Sequence, residues 1–403
     1  MKWENYTSLP EQYRNQRVFD GCGISGFINI DGSRVSGDKV IDMISILKER
    51  ENGLGAGFAA YGIYPKYKDY YAFHFLFDNI AAKTNTLHYL ENNGTIIASE
   101  VIPTNTPTNI DNPPIIWRAF FDPKKSNTLE PDEKIVKIVM EINANIKNAF
   151  VMSSGKDMGV FKGNGWSHEI ADFYKISDYN AYMWLAHSRF PTNTPGWWGG
   201  AHPFNLLNCS VIHNGEITSY GTNQRYLSSF GYVCTLFTDT EVIAYLFDLL
   251  GRKHKLPLSI TTMALAPPLY DDIERLNKKE KMIIKSIRAT YRSAMLNGPF
   301  SIVVGYSNPI PTMIGLTDRK KLRPLVVAIS DDENTIYMSS EEASFKRLTT
   351  SNNEFSMKEI WHPKSGTATI AMLGKGLIRN GLEPSLLKLK SRSERGLVNG
   401  NCA

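Results

Sequence analysis

A short stretch near the beginning of the chain constrains its fold more than any other. From Phe19 to Phe27 it reads FDGCGISGF, so the thiol of Cys22 lies between glycines at the start of an apolar run. The run from Gly23 to Ile30 predicts a β-strand. Cys22 is then either a buried structural cysteine in a first strand or a nucleophile at the entrance to that strand. Other polar clusters along the chain decide between these interpretations.

Composition places the chain among globular proteins. Of its 403 residues, 42% are hydrophobic and 21% are charged, which excludes a fibre and a disordered chain. No apolar run approaches the roughly 18 residues that a membrane-spanning helix needs. The leader up to Gly21 contains Glu4, Glu11, Arg14 and Arg17 and lacks the apolar centre of a secretory signal. We therefore expect a cytoplasmic protein without a membrane partner.

Charge and cysteine content exclude further classes. The 45 basic and 40 acidic residues leave a net charge of +5 that is spread along the chain, which argues against a nucleic-acid partner. The four cysteines, Cys22, Cys209, Cys234 and Cys402, show no C-x-x-C spacing. No Cys/His cluster has the spacing of a zinc site. We expect reduced thiols and no bound metal.

The predicted elements begin with a strand, continue through helices and return to short strands. This order is typical of an α+β fold with sheets packed face to face and helices outside. Residues 60–148 are expected to form an inserted α+β lobe within a domain at 22–375, and one long helix is expected over Asp271–Leu296. Residues 1–21 form a leader. The basic tail at 376–403 is either solvated or a docking surface for an acidic partner.

A cut between Gly21 and Cys22 gives the thiol a partner. The cut leaves a free α-amino group on the residue that carries the thiol. An α-amino group titrates near pH 8 and a cysteine thiol near pH 8.5, so the amine can act as the base that activates the sulfur. Before the cut the same nitrogen is an amide without basicity. The nucleophile interpretation therefore requires loss of the leader.

Two segments carry candidate binding groups. Arg189, in the loop HSRFPTNTP from His187 to Pro195, is placed to present its guanidinium to a carboxylate, or else ties the loop down through carbonyls. The sequence TDTE from Thr238 to Glu241 opens a helix. Its Asp239 is either part of an N-cap or the partner of an ammonium group.

A third cluster ends a predicted strand with Asn214 and Gly215. An Asn-Gly pair is commonly just a turn. In the functional interpretation the Asn214 amide and the Gly215 N–H donate to a tetrahedral oxyanion, each donor lowering the barrier by roughly 3 kcal/mol. Taken together, the clusters suit a substrate with an α-carboxylate, an α-amino group and a carbonyl that sulfur attacks. An amino acid with a side-chain amide fits this description.

These motifs together resemble the class II, N-terminal-nucleophile (Ntn) glutamine amidotransferases. The wording of the middle motifs is most similar to the amidotransferase domain of glutamate synthases, especially the stand-alone subunit form. The resemblance extends from about Cys22 to Ala343 and is weak in the inserted lobe. Its motifs are CGI at Cys22–Ile24, His187–Thr194, AHPF at Ala201–Phe204, HNGEI at His213–Ile217, TDTE at Thr238–Glu241, GPFS at Gly298–Ser301, TDR at Thr317–Arg319, LRPL at Leu322–Leu325 and SSEE at Ser339–Glu342.

The resemblance implies a fold and a reaction. The fold is an Ntn-hydrolase αββα sandwich of two antiparallel sheets. The reaction is hydrolysis of L-glutamine to L-glutamate and ammonia through a γ-glutamyl thioester. In it Cys22 is the nucleophile, its freed amine is the general base, and Asn214 and Gly215 form the oxyanion hole.

The resemblance also implies a substrate pocket. Arg189 pairs with the glutamine α-carboxylate and Asp239 with its α-amino group. Thr192 and His202 match positions that line the pocket. Family members are processed so that the cysteine becomes the first residue, which here means removal of a propeptide.

The chain shows no flavin or iron–sulfur cysteine set and no phosphate-binding glycine loop. We therefore expect no cofactor in this chain and a hetero-oligomer in which a separate synthase subunit, carrying the flavin and iron–sulfur groups, accepts the ammonia. Two alternatives stay open. One is a non-catalytic regulatory or binding subunit with an uncleaved leader, and the other is a free-standing Ntn amidase that acts on another amide.

Overall fold

The computed structural model describes residues 21–106, 110, 112–190, 196–351 and 356–378. Thr192, the leader before Gly21 and the tail from residue 379 onward lie outside the described residues. The expectations about them stay predictions.

Strands and helices are numbered here in chain order. The strands of the described residues are β1 (Gly23–Asn29), β2 (Val35–Ser36), β3 (Ala56–Tyr61), β4 (Tyr71–Phe77), β5 (Gly94–Val101), β6 (Ile115–Pro123), β7 (Ala149–Ser153), β8 (Met158–Gly163), β9 (Asn180–Ala181), β10 (Met183–Ser188), β11 (Phe204–Leu206), β12 (Cys209–Gly215), β13 (Phe300–Tyr306), β14 (Thr312–Thr317), β15 (Val326–Ser330), β16 (Thr335–Ser339), β17 (Met357–Trp361), β18 (Thr369–Met372) and β19 (Gly376–Ile378). The α-helices are α1 (Asp38–Ser45), α2 (Ile80–Asn93), α3 (Pro131–Asn145), α4 (Ser167–Phe173), α5 (Tyr220–Ser228), α6 (Asp239–Phe247), α7 (Leu258–Leu265), α8 (Tyr270–Glu274), α9 (Lys278–Thr290) and α10 (Ala343–Ser351).

Two antiparallel sheets form the centre of the molecule. One has the order β17-β15-β16-β1-β10-β3-β8 and the other β11-β12-β13-β14-β18-β19. Their facing sides share one buried core, in which Ile212 and Val303 of the second sheet join Phe27 and Trp184 of the first. Helices α1 and α10 cover the outer face of the first sheet, and α6 packs on β12 of the second. The expected αββα sandwich is thus confirmed.

The inserted lobe contains a third sheet, with the order β5-β6-β4-β7, together with α2 and α3. It is inserted between β3 and β8, which pair directly with each other, Tyr61 opposite Met158. The strands of this sheet lie between Tyr71 and Ser153, so the sheet begins well after residue 60 and ends shortly after residue 148. Its Phe73 belongs to the same buried core as Val211 of the second large sheet. The lobe is therefore packed on the sandwich rather than attached by a linker.

The long helix expected over Asp271–Leu296 is two helices, α8 and α9. The side chain of Asn277 accepts hydrogen bonds from the backbone N–H groups of Lys279 and Glu280, at 3.1 and 3.0 Å, and so starts a new helix. The sequence prediction treats Asn277 as a residue inside one helix and so joins the two helices. In the described part of the chain, no helix is both long and apolar enough to span a membrane.

Candidate active site

The register of β1 and β10 brings Cys22 to the loop that contains Arg189. Gly23 at the start of β1 pairs with Ser188 at the end of β10, so the residues just outside these two strands meet. The backbone N–H of Phe190 points at the Cys22 sulfur, with 3.3 Å between nitrogen and sulfur. Cys22 therefore lies at an end of the sandwich and not in the middle of a core strand.

The Cys22 thiol is protonated near neutral pH. Removal from water raises its pKa, and Asp239 raises it further, whereas the Phe190 N–H and the guanidinium groups of Arg189 and Arg323 lower it without reversing the shift. A thiol in this state needs a base before it can attack a carbonyl. In the uncut chain the Cys22 nitrogen belongs to the Gly21–Cys22 peptide and cannot supply one.

Gly21 is enclosed by the groups of the candidate site. Its φ angle is +118°, a conformation that favours glycine. A methyl group added to it would lie 3.0 Å from the side-chain oxygen of Asn214, 3.1 Å from Nη1 of Arg323 and 3.4 Å from Nη2 of Arg50. The last residue of the leader thus occupies the space beside Asn214. In the uncut chain Gly21 therefore blocks this space, and the Cys22 nitrogen remains an amide.

Asn214 and Gly215 end β12, beside the start of β13. The Asn214 side chain is fully buried, and neither its amide nitrogen nor its oxygen has a hydrogen-bond partner among the described residues. A side chain on Gly215 is excluded, because its φ is +135° and a Cβ atom would lie 2.0 Å from the Pro299 carbonyl oxygen. A buried amide without a partner beside a thiol can stabilise an oxyanion.

Arg189 is a buried cation near the thiol. It is 4% exposed, and its backbone N–H donates to the Gly55 carbonyl at 2.9 Å. Burial lowers the pKa of its guanidinium, while the nearby Cys22 and Asp239 act in the opposite direction. The structure therefore places a buried cation near both the Cys22 sulfur and the Asp239 carboxylate.

Asp239 is the first residue of α6. The N-cap of this helix is Thr238, whose hydroxyl accepts from the Thr240 N–H at 3.3 Å, so capping does not occupy the Asp239 side chain. One Asp239 oxygen accepts from the Ile217 N–H at 2.8 Å, and the other lies 3.5 Å from Nδ1 of His213. Although burial raises the pKa of Asp239, these neighbours hold it below its ordinary value. Asp239 is therefore an anion near neutral pH.

His202 lies behind Asp239 in a hydrogen-bonded chain. Its Nε2 is 3.2 Å from the Thr240 hydroxyl, which is in turn 3.1 Å from Nδ1 of His213. The His202 ring also stacks on His187, with 4.0 Å between ring centroids. Burial, with the nearby His187 and Arg189, holds the pKa of His202 far below its ordinary value, so the ring is neutral. His202 is thus linked to Asp239 through the side chains of Thr240 and His213.

The structure brings together Cys22, Arg189, Asn214, Gly215 and Asp239 and places His202 in the layer behind them. Thr192 lies outside the described residues. Sequence reasoning gave no role to four further residues near this site. Arg50 lies outside the quoted motifs, and the other three lie within them without an assigned function: His213, Thr240 and Arg323. No group of three or more His, Cys, Asp or Glu side chains in the described residues is arranged to hold a metal ion.

Comparison with known proteins identifies the domain. The family of class II glutamine amidotransferases matches residues 106–235. This span contains Arg189, His202, Asn214 and Gly215, and it lies between Cys22 and Asp239 in the sequence. The match therefore includes four of the candidate site residues but neither Cys22 nor Asp239.

Two archaeal relatives extend over most of the chain. An uncharacterized protein from Archaeoglobus fulgidus is 46% identical over 358 residues, which cover 87% of this chain and 92% of that protein. A protein from Methanothermobacter thermautotrophicus named "Putative glutamine amidotransferase" is 27% identical and covers 81% of this chain and 93% of its own length.

A solved structure matches with lower similarity. The glutamine phosphoribosylpyrophosphate amidotransferase from B. subtilis has a TM-score of 0.44 and 15% sequence identity. The match covers 89% of this chain and 48% of that chain, so the present chain spans about half the length of that enzyme. From the family match and the Archaeoglobus relative, the chain belongs to the same family as the Archaeoglobus fulgidus protein and carries a class II glutamine amidotransferase domain.

Proposed function

We propose that the chain, once cut between Gly21 and Cys22, hydrolyses L-glutamine to L-glutamate and ammonia. The observation that carries the proposal is the meeting of a thiol, a partnerless buried amide and two opposite charges at one end of the sandwich. The charges of Arg189 and Asp239 match the α-carboxylate and α-amino group of an amino acid. The thiol of Cys22 and the amide of Asn214 match the carbonyl of its side chain.

The reaction divides into two steps. The Cys22 sulfur attacks the side-chain carbonyl carbon of glutamine while its proton passes to the α-amino group of Cys22. Asn214 and the Gly215 N–H donate to the oxyanion that forms. When the C–N bond breaks, the proton moves from the amine to the leaving nitrogen and ammonia departs, leaving a γ-glutamyl thioester. Water then attacks the thioester, aided by the same amine, to give glutamate and the free thiol.

The pocket residues hold the substrate in place. The buried Arg189 guanidinium binds the α-carboxylate at little reorganisation cost, because the Gly55 carbonyl holds its backbone. Asp239 is kept ionised by His213 and the Ile217 N–H and binds the α-ammonium group. Thr192 completes the pocket in this proposal, and His202 supports it through the Thr240 hydroxyl. Any amide without an amino acid head group loses both ionic contacts.

The ammonia has a proposed destination. It passes to a separate synthase subunit of the glutamate synthase type, which carries the flavin and iron–sulfur groups and uses 2-oxoglutarate as final acceptor. The sequence motifs of the pocket, which are most similar to those of glutamate synthase amidotransferase domains, support this finer assignment. The expected result is that a complex of the two subunits forms a second glutamate only when 2-oxoglutarate is present. Ammonia transfer to phosphoribosyl pyrophosphate or another sugar phosphate contradicts it.

The first prediction concerns Cys22 itself. A chain produced so that it begins at Cys22 releases glutamate and ammonia from glutamine, and Cys22→Ala abolishes the release. The thiol of Cys234 is also partly buried, so Cys234→Ala serves as a matched control that keeps its activity. Mass spectrometry of the enzyme mixed with glutamine and quenched in acid detects the γ-glutamyl thioester only when Cys22 is present.

Three results would contradict this proposal. Turnover by Cys22→Ala excludes the nucleophile. Preference for amides without the amino acid head group, in a small substrate panel, indicates an Ntn amidase instead. An intact mass showing Met1 or Lys2 as the first residue of the protein from its native cell indicates a non-catalytic subunit.

A further inference from the structure

We propose that Arg323 determines the protonation state of the Cys22 α-amino group and thereby the pH range in which the thiol is activated. The inference rests on the proposed function, in which the freed amine is the base. Arg323 then acts through another group and is a positioning residue rather than a catalytic one.

Strand register places Arg323 level with Cys22. Ser25 of β1 pairs with Ser339 of β16, and Ser339 pairs with Val326 of β15. Because β16 is antiparallel to both, β1 and β15 run in the same direction with β16 between them. Arg323 comes three residues before Val326, as Cys22 comes three residues before Ser25. The sheet therefore brings both to the same edge although they are distant in sequence.

The side chain of Arg323 reaches the junction that the cut opens. Its Nη1 lies 3.1 Å from the position of a methyl group on Gly21. Only the carbonyl carbon of Gly21 separates the Gly21 Cα from the nitrogen that becomes the amine. The charge of Arg323 also acts on the thiol of the same residue. The guanidinium thus lies near the Gly21–Cys22 peptide, whose nitrogen becomes the amine after the cut.

Charged groups from five segments surround this junction. Arg50 follows α1, Arg189 follows β10, Asp239 begins α6, Arg323 precedes β15 and Glu341 follows β16. Arg50 approaches the Cys22 carbonyl oxygen at 3.4 Å and forms an ion pair with Glu341 at 2.6 Å. Arg189 and Asp239 act on the thiol in opposite directions. The field at the junction is thus the sum of these charges, of which Arg323 contributes one positive charge.

A cation beside an amine favours the uncharged amine, and a cation beside a thiol favours the thiolate. Arg323 therefore lowers the pKa of both groups, and the amine is free to take the thiol proton at neutral pH. Without this charge the pKa of the amine and the pKa of the thiol both rise. The acid limb of the rate profile, which reports the amine, and the basic limb, which reports the thiol, then move to higher pH by about 0.5 to 1 unit each.

The test compares chains that begin at Cys22 and carry Arg323→Gln, Arg323→Lys or Lys320→Gln. Lys320 is an exposed cation in the same loop, so it is a matched control for loss of one positive charge. kcat/KM for glutamine is measured against pH. Arg323→Gln moves both limbs upward, Arg323→Lys restores their positions, and Lys320→Gln leaves them unchanged. A uniform loss of rate without movement of the limbs overturns the inference.

A second readout does not depend on turnover. In a chain that begins at residue 22 with Cys22→Ser, acetylation of the N-terminal amine is followed against pH by mass spectrometry, with no thiol to compete. Adding Arg323→Gln raises the titration midpoint of the amine by the same 0.5 to 1 unit. An unchanged midpoint overturns the role of Arg323. Absence of glutamine turnover in the wild-type cut chain overturns the proposed function instead, and the two failures are therefore distinguishable.

Discussion

A buried amide without a hydrogen bond costs a folded protein about 1–3 kcal/mol. The Asn214 side chain is such an amide, since no described residue forms a hydrogen bond with it. Asn223 gives the comparison. It is also fully buried, but its side-chain nitrogen donates to the carbonyls of Ser293 and Met295 at 2.8 and 3.1 Å. One asparagine therefore stabilises the fold, while the other keeps its donor available beside Cys22.

A pair of substitutions separates these two roles. Asn214→Ala lowers kcat for glutamine by about 10²–10³-fold and leaves stability unchanged or slightly higher, because the folded protein loses no hydrogen bond. Asn223→Ala lowers the free energy of unfolding by about 1–3 kcal/mol and leaves kcat unchanged below the unfolding transition. Steady-state kinetics and urea denaturation measure both effects. A large loss of stability in Asn214→Ala would mean that the amide has a structural role.

At the scale of elements, the site is assembled from element ends. Cys22 precedes β1, Arg189 follows β10, Asn214 and Gly215 end β12, and Asp239 begins α6. Backbone N–H and C=O groups at such ends are not all hydrogen-bonded within the sheet or the helix, so side chains and ligands can reach them. The position of Asp239 therefore depends on how the first turn of α6 is held.

The cap of α6 provides a test at this scale. Thr238→Ala removes the hydroxyl that accepts from the Thr240 N–H, which costs about 1 kcal/mol and loosens the turn that carries Asp239. We expect KM for glutamine to rise several-fold with a smaller change in kcat, and Thr238→Ser to restore both. Asn277→Ala removes the cap of α9 at a similar cost, and this helix packs on α7 and α8. If Asn277→Ala raises KM equally, general loss of stability explains the effect.

At the scale of the whole molecule, the lobe and the sandwich share one core. Phe75 of the lobe is fully buried and stacks between Phe73 and Phe77, with ring centroids 5.4 and 5.3 Å apart. The same core continues through Val211 of β12 into Ile243 of α6. Because the candidate site lies on these elements, damage to the lobe reaches it through stability rather than through contact.

Phe75→Ala tests this shared core. Loss of the buried ring lowers the free energy of unfolding by about 3–5 kcal/mol. We expect glutaminase activity and far-UV circular dichroism to be lost together, at one lower denaturant midpoint, as in a cooperative transition. Ile97→Ala, at a 39% exposed position of β5, is the control and costs little. Activity that survives after part of the dichroism signal is lost would show that the lobe unfolds independently.

The sequence predicts those parts of the site that lie in local patterns. Cys22 before an apolar run and Asn214 at a strand end are visible without a structure, and so is the layered α+β fold. The place of Arg323 beside Cys22 cannot be read from the sequence in this way. It follows from two successive strand pairings whose register no local pattern contains. His213 and Thr240 look like ordinary strand and helix residues until their side chains are seen to bridge Asp239 and His202.

The strand order of the first sheet also fixes when the site can exist during synthesis. Because β16 lies between β1 and β15, Cys22 meets Arg323 only after Ser339 has left the ribosome and both pairings have formed. A nascent chain that carries only the first strand has the thiol but none of the groups that surround it. In the proposed function, a cut at Gly21–Cys22 that depends on these groups requires a completed fold, so residues 1–21 stay on any chain that stops short.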